Sequence, residues 1–402
     1  MKYFLKLLII VLFLTGCEQS IPEPKTISVR AESFLSIDYD SVIYYANLHI
    51  KNSPHDEELY YSYYLIGYAH QKQQDYTRSA VNYLTALELI PNDDRYKPNK
   101  ASILKNLGSI AKTVRAYDYA IKYYNQSLSF VAENEKAGVL YNLGNVYTNQ
   151  NQYDQSFELF SQSADLAFKF GQEIRYIKAT INKGVTLARQ KNLDESDNFL
   201  LSAINWEKDR NVTRQSGRAY HYLGNNKLEQ SEYERAIVYF KKAINNFSSD
   251  TDLFITYMDM GDCYLRMGET QLAQDYLQKA AVLYKVTEPN LDYAKVYNLI
   301  ATAYERKGDT ANALKYQRSY GAELEDFLQQ KEEIIMILNK QGFEQLVSHR
   351  ASVKELLIQV FTYKNTTLWG IVGICICLSF IGFRVIRWQM LKRELAREIR
   401  SI

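Results

Sequence analysis

Seven small residues recur along the middle of the chain at a nearly constant interval. They are Gly67, Gly108, Gly144, Gly184, Gly224, Gly261 and Ala301, separated by 41, 36, 40, 40, 37 and 40 residues. Other positions keep register with them. Twelve residues on stands a small side chain, at Ser79, Ala120, Ser156, Ser196, Ala236, Ala273 and Ala313. Sixteen on comes Tyr83, Tyr124, Phe160, Leu200, Phe240 or Leu277, with Gln317 the outlier. Nineteen on is small again at Ala86, Ser127, Ser163, Ala203, Ala243 and Ala280, with Tyr320 the exception. A recurrence of this length means one supersecondary unit used many times, each copy burying its apolar face on its neighbours. All six prolines fall outside 99–288. Long helices follow, because a proline inside a helix costs about 3 kcal/mol. Each unit is then a pair of helices that cross at the small positions, while the large ones fill the gaps between successive pairs.

At these residues the sequence resembles the tetratricopeptide repeat, a helix–turn–helix unit. The clearest copies are LYNLGNVYTNQNQYDQSFELFSQSA (140–164) and AYHYLGNNKLEQSEYERAIVYFKKA (219–243). The resemblance implies an all-α fold, a right-handed superhelical solenoid of about seven repeats. The stretch DYDSVIYYANLHI (38–50) resembles the second helix of a further half repeat. Repeats of the family run to about 34 residues, so the longer spacing here predicts longer helices or loops. The 34 tyrosines are expected mainly in packing roles.

The two ends read differently. Lys2 and Lys6 precede an apolar stretch of signal-peptide length, and Leu14-Thr15-Gly16-Cys17 looks like a lipobox, with Cys17 as the lipidated residue. A second apolar segment, 366–386, is long enough to cross a hydrocarbon core of roughly 30 Å and is flanked by Trp369 and Trp388. Arg384, Arg387, Lys392, Arg393, Arg397 and Arg400 lie at or beyond its end, which places that tail in the cytoplasm under the positive-inside rule. Both ends thus predict an inner-membrane protein with periplasmic repeats. Between repeats and span, apolar positions such as Leu324, Leu328, Ile335 and Leu338 keep a 3–4 spacing with defects at Lys331 and Gly342. They fit a dimerising coiled-coil stalk or a capping helix folded back on the array. The expected organisation is a lipoprotein signal peptide over 1–16, then a lipidated N-terminus, tether and partial first repeat over 17–57. The solenoid follows over 58–322, a helical stalk or cap over 323–365, a transmembrane helix over 366–386 and a basic tail over 387–402.

Chemistry is sparse. With 48 basic and 46 acidic residues the net charge is +2, which argues against a nucleic-acid surface. The four cysteines and five histidines show no ligand spacing. No phosphate loop, HExxH or GxSxG is present, so no catalytic residues, metal site or cofactor are expected, and the chain reads as a non-enzymatic binding protein.

In the tetratricopeptide family the first helix of each repeat lines a groove, and the positions one after and three before the marker glycine contact an extended peptide. Here these include Asn145 and Asn225, and Lys105, Tyr141, Ile181 and His221. Family members that hold a peptide carboxylate use lysine and asparagine from three successive repeats. Lys105, Asn142 and Lys178 match that arrangement, whereas Ser109 and Asn182 stand where asparagine and a basic residue are expected. Asn142, Asn145, Asn182 and Asn225 would supply adaptable hydrogen bonds.

Signal, extracytoplasmic repeats, stalk, span and basic tail together resemble the input half of Bacteroidota-type membrane sensors. Only 16 residues follow Ile386, too few for a kinase or DNA-binding output domain. The resemblance therefore implies a sensor or adaptor that binds a periplasmic protein or peptide and hands the signal to a cytoplasmic or membrane partner. The expected contacts also include membrane lipid through Cys17 and 366–386, and a second copy through the stalk. The alternative function is a scaffold for an envelope assembly such as secretion or polysaccharide machinery.

Overall fold

The computed structural model describes residues 31–339 apart from 36, 53–56, 211–214, 248 and 285–290. Cys17, the span at 366–386, the basic tail and the rest of the expected stalk lie outside the described residues. Among those described there is no strand, and no helix is long and apolar enough to cross a membrane.

The first long helix of the described residues is α1 (Tyr39–Asn52), over the stretch that resembles the second helix of a repeat. Its Val42 and Ala46 are fully buried, and His49 Nδ1 lies 2.6 Å from Ser62 Oγ of the next helix. Helical hairpins follow: α2 (Leu59–Lys72) with α3 (Tyr76–Leu89), α4 (Lys97–Thr113) with α5 (Tyr117–Leu128), and α6 (Lys136–Asn149) with α7 (Tyr153–Lys169). After them come α8 (Glu173–Arg189) with α9 (Leu193–Arg210), α10 (Ser216–Glu229) with α11 (Tyr233–Asn246), and α12 (Asp250–Met267) with α13 (Thr270–Tyr284). The last pair is α14 (Leu291–Arg306) and the long α15 (Thr310–Leu338).

The crossing geometry follows from side-chain size. A Cβ on Gly144 would lie 2.8 Å from the Phe160 ring, and one on Gly224 would lie 2.5 Å from Phe240. The residue sixteen on therefore packs flat on the bare glycine backbone. The residues twelve on are all buried, from Ser79 to Ala313. At Ser79 and Ser156 the hydroxyl finds an acceptor that alanine would leave alone, and at Ser196 it accepts from Asn226. Ser79 Oγ donates to the Gly67 carbonyl at 2.7 Å and Ser156 Oγ to the Gly144 carbonyl at 3.0 Å. Nineteen on, Ser127 and Ser163 donate to the carbonyls of Ala101 and Ala137. The small positions thus carry a hydrogen bond across the helix pair in addition to the close approach.

Each hairpin turns through a residue seven positions after the marker, and all seven have positive φ: Gln74, Arg115, Asn151, Lys191, Ser231, Gly268 and Gly308. The tyrosines pack as expected. Tyr257 and Tyr276 lie at 6.1 Å and Tyr297 and Tyr316 at 6.2 Å between ring centres. Lys279 lies over both rings of the first pair, and Lys183 likewise over Phe157 and Phe199.

Helix α15 runs without a break across the boundary expected at 322/323. Its last turns bury Ile334 and Leu338 in the same apolar cluster as Tyr60, Tyr83 and Leu107 of the first repeats. Thr77 Oγ1 donates to Glu333 Oε2 at 3.4 Å, and the Arg115 guanidinium stands over the Phe327 ring. For residues 323–338 the fold-back is what is observed, and Ile334 and Leu338 serve the chain's own core.

Candidate peptide-binding groove

Three consecutive first helices bring their N-terminal halves to one cleft of about 1050 Å³. Helix α4 contributes Ser102 and Lys105, α6 contributes Gly138, Tyr141 and Asn142, and α8 contributes Arg175 and Lys178. Lys105, Asn142 and Lys178 thus line a single surface, as the register predicts. Glu135 and Glu173 line it too. Among the described residues no carboxylate lies within ion-pair distance of Lys105, Arg175 or Lys178. Burial pushes Lys178 below the usual lysine range, and the nearby Arg218 and Arg175 push it the same way. Positive charge in the cleft is therefore in excess, and an anion would relieve it.

One helix further, Arg218 of α10 continues the basic line. Burial acts to lower its affinity for the proton, yet Tyr222, Tyr141 and Asp252 around it carry the net shift upward. Asp252 is raised by burial against the opposing pull of Arg218 and Lys178.

The other asparagines serve a different purpose. Asn182 is buried and donates to Asn145 Oδ1 at 2.9 Å, while Asn145 donates to the Tyr141 carbonyl at 2.9 Å. Asn225 Nδ2 lies 3.1 Å from His221 Nε2. The Asn182–Asn145 bond ties α8 to α6, while the other two bonds lie within α6 and within α10. Ile181 and His221, at the position three before the marker, are also buried. They belong to the core because α10 and α12 close over them.

His221 heads a second polar cluster. Thr256 Oγ1 donates to the Asp252 carbonyl at 2.9 Å, so it accepts from His221 Nδ1 at 3.0 Å. Nε2 is then the acceptor, with Asp259 Oδ2 at 3.3 Å. Burial raises Asp259 to about 7, and burial with the Arg218 charge lowers His221 to about 3. The arrangement is that of a neutral pair, a protonated carboxyl facing a neutral imidazole.

Sequence reasoning missed Arg175, and it also missed the buried pair of Lys227 with Asp197 at 2.8 Å, which Asn226 joins through Asp197 Oδ1.

Models of the tetratricopeptide repeat match residues 60–93, 137–170 and 252–320, in the register of the marker positions. Tetratricopeptide repeats are present in this chain. The repeats at Gly108, Gly184 and Gly224 share their geometry. A tetratricopeptide repeat protein from Parabacteroides merdae superposes with a TM-score of 0.54 at 16% identity, over 69% of this chain and 98% of that one. A Rap protein in complex with the Competence and Sporulation Factor gives 0.54 at 15% identity, over 80% and 92%. Likeness at these identities is a likeness of fold. No curated protein matches the chain.

Proposed function

We propose that this repeat array is a non-enzymatic binding module that holds a protein or peptide segment by an anionic group in the cleft of α4, α6 and α8. In this reading it acts as a membrane-anchored sensor or adaptor, with anchoring resting on the sequence at Cys17 and 366–386. The observation that carries the proposal is the convergence of Lys105, Asn142 and Lys178 from three repeats on one cleft, where Lys105, Arg175 and Lys178 outnumber Glu135 and Glu173. The repeat fold is compatible with it, since a Rap protein of similar fold is known in complex with the Competence and Sporulation Factor. The test is binding of the full-length protein to immobilised hexapeptides. The double change Lys105→Ala and Lys178→Ala should weaken binding of anionic peptides and flatten its salt dependence. Two partly desolvated charge-assisted contacts are worth roughly 1.5–3 kcal/mol each. Wild-type affinity in the double variant at low salt would move the search away from this cleft.

A further inference from the structure

The cleft contains one feature that neither the repeat pattern nor the carboxylate-binding arrangement anticipates. At Gly138 the surface of α6 is bare, and a Cβ there would fall on the Arg175 guanidinium, with Cζ at 3.0 Å. The corresponding positions of α4, α8 and α10, six before the marker, carry Ser102, Lys178 and Arg218. Only at Gly138 does the absence of a side chain leave a seat for a group from the next repeat. Arg175 and Lys178 are three apart on α8 and so lie on one face. The site where a second base was expected, Asn182, is buried and engaged with Asn145, so it cannot reach a ligand.

We infer that Arg175, seated on the bare backbone of Gly138, is the specificity-determining cation of the cleft and receives an oxyanion through its two-pronged guanidinium. This rests on the binding function proposed above and names the ligand chemistry. Lys105 and Lys178 are point charges that attract any anion. A guanidinium adds planar, paired N–H donors that match the oxygens of a carboxylate or phosphoryl group. The bare Gly138 backbone lets the exposed guanidinium lie along α6 beside the cleft, a position that a side chain at 138 would deny it.

The experiment uses full-length protein in detergent and arrays of hexapeptides in three forms. These are a free C-terminal carboxylate, a C-terminal amide, and an amide with an internal phosphoserine. The wild type should prefer one of the two anionic forms over the neutral amide, which tells the carboxylate from the phosphoryl source. For the best peptide, Arg175→Lys should raise Kd tenfold or more although the charge is kept. Gly138→Ala should do the same by evicting the guanidinium, while its thermal stability holds or rises because alanine is the better helix former. Wild-type affinity in both variants, with weakened binding in the Lys105→Ala and Lys178→Ala double variant, would overturn the role of Arg175 and leave the cleft intact. Equal retention of all three peptide forms by wild type and double variant would overturn the cleft and this inference together.

Discussion

Gly224 and Gly268 lie in adjacent hairpins, and replacing either by alanine should destabilise the chain for opposite reasons. A Cβ on Gly224 meets the Phe240 ring at 2.5 Å, so Gly224→Ala overpacks a crossing point and should cost about 1–3 kcal/mol despite its better helix propensity. Gly268 ends α12 with φ of 83°, and nothing lies within 4 Å of the Cβ it lacks. Gly268→Ala should therefore cost about 1 kcal/mol through backbone conformation alone. Urea denaturation separates the two. Adding Phe240→Leu should recover part of the Gly224→Ala loss, and no side-chain change should recover that of Gly268→Ala. An identical response of both variants to Phe240→Leu would contradict the packing assignment. The crossing residues were legible in the sequence because steric demand restricts them to glycine, alanine and serine. The left-handed turn residues were not, because Gln74, Arg115, Asn151, Lys191 and Ser231 have no side-chain chemistry in common. The surrounding hairpin imposes that conformation on whatever residue occupies the position.

Between elements, the same repeat position changes role as the stack proceeds. Lys105 and Tyr141 face the cleft, while Ile181 and His221, their counterparts, are buried. Periodicity reports a position within a repeat, whereas burial depends on how closely the next helix approaches, and the sequence pattern does not record that distance. Arg175 was missed for the same reason, since its role depends on Gly138 in the preceding repeat. The His221–Asp259 contact between α10 and α12 shows what such pairings do to titration. Asp259, raised to about 7 from about 3.9 when unfolded, makes the folded chain hold an extra proton across that window. Taken alone it makes stability fall as pH rises from about 4 to 7. His221, lowered to about 3 from about 6.5, lacks a proton that the unfolded chain holds, so its contribution rises with pH over nearly the same range. The two slopes cancel in the wild type. His221→Gln should expose the first, with stability falling by up to about 1.4 kcal/mol per pH unit relative to wild type. Asp259→Asn should expose the second, with the opposite sign. The remaining charges near Asp259 are Asp262, Arg189 and Lys295, and both variants keep them. Urea midpoints measured from about pH 4.5 to 7 check this, and parallel curves for wild type and both variants would sink it.

For the array as a whole, α15 is the element that departs from the repeat. Its early part pairs with α14, but Gln317 and Tyr320 replace the residues that would close a further crossing. At 29 residues it is about 43 Å long, enough to carry its last turns from the final repeat to the first two. A 3–4 apolar spacing was legible over 323–338, yet the same spacing suits a partner helix or the chain's own flank. The apolar surface left open beside Tyr60 and Leu107 decides between them, and it exists only once the repeats have stacked. Ile334→Asp places a charge in that cluster, where burial without a partner is strongly unfavourable. The C-terminal turns of α15 should then leave the first repeats. Hydrogen exchange should speed up in α3 and in 326–338, with α12 and α13 unchanged, because each repeat contacts mainly its neighbours. The scattering radius should grow as the tie between the ends is lost. Exposed Met336, two residues on, on the opposite side of the helix and 44% accessible, provides the control, since Met336→Asp should leave exchange and radius at wild-type values. Wild-type exchange in α3 of the Ile334→Asp protein would mean that the first repeats hold their shape without α15, and the helix would then be an appendage of the array.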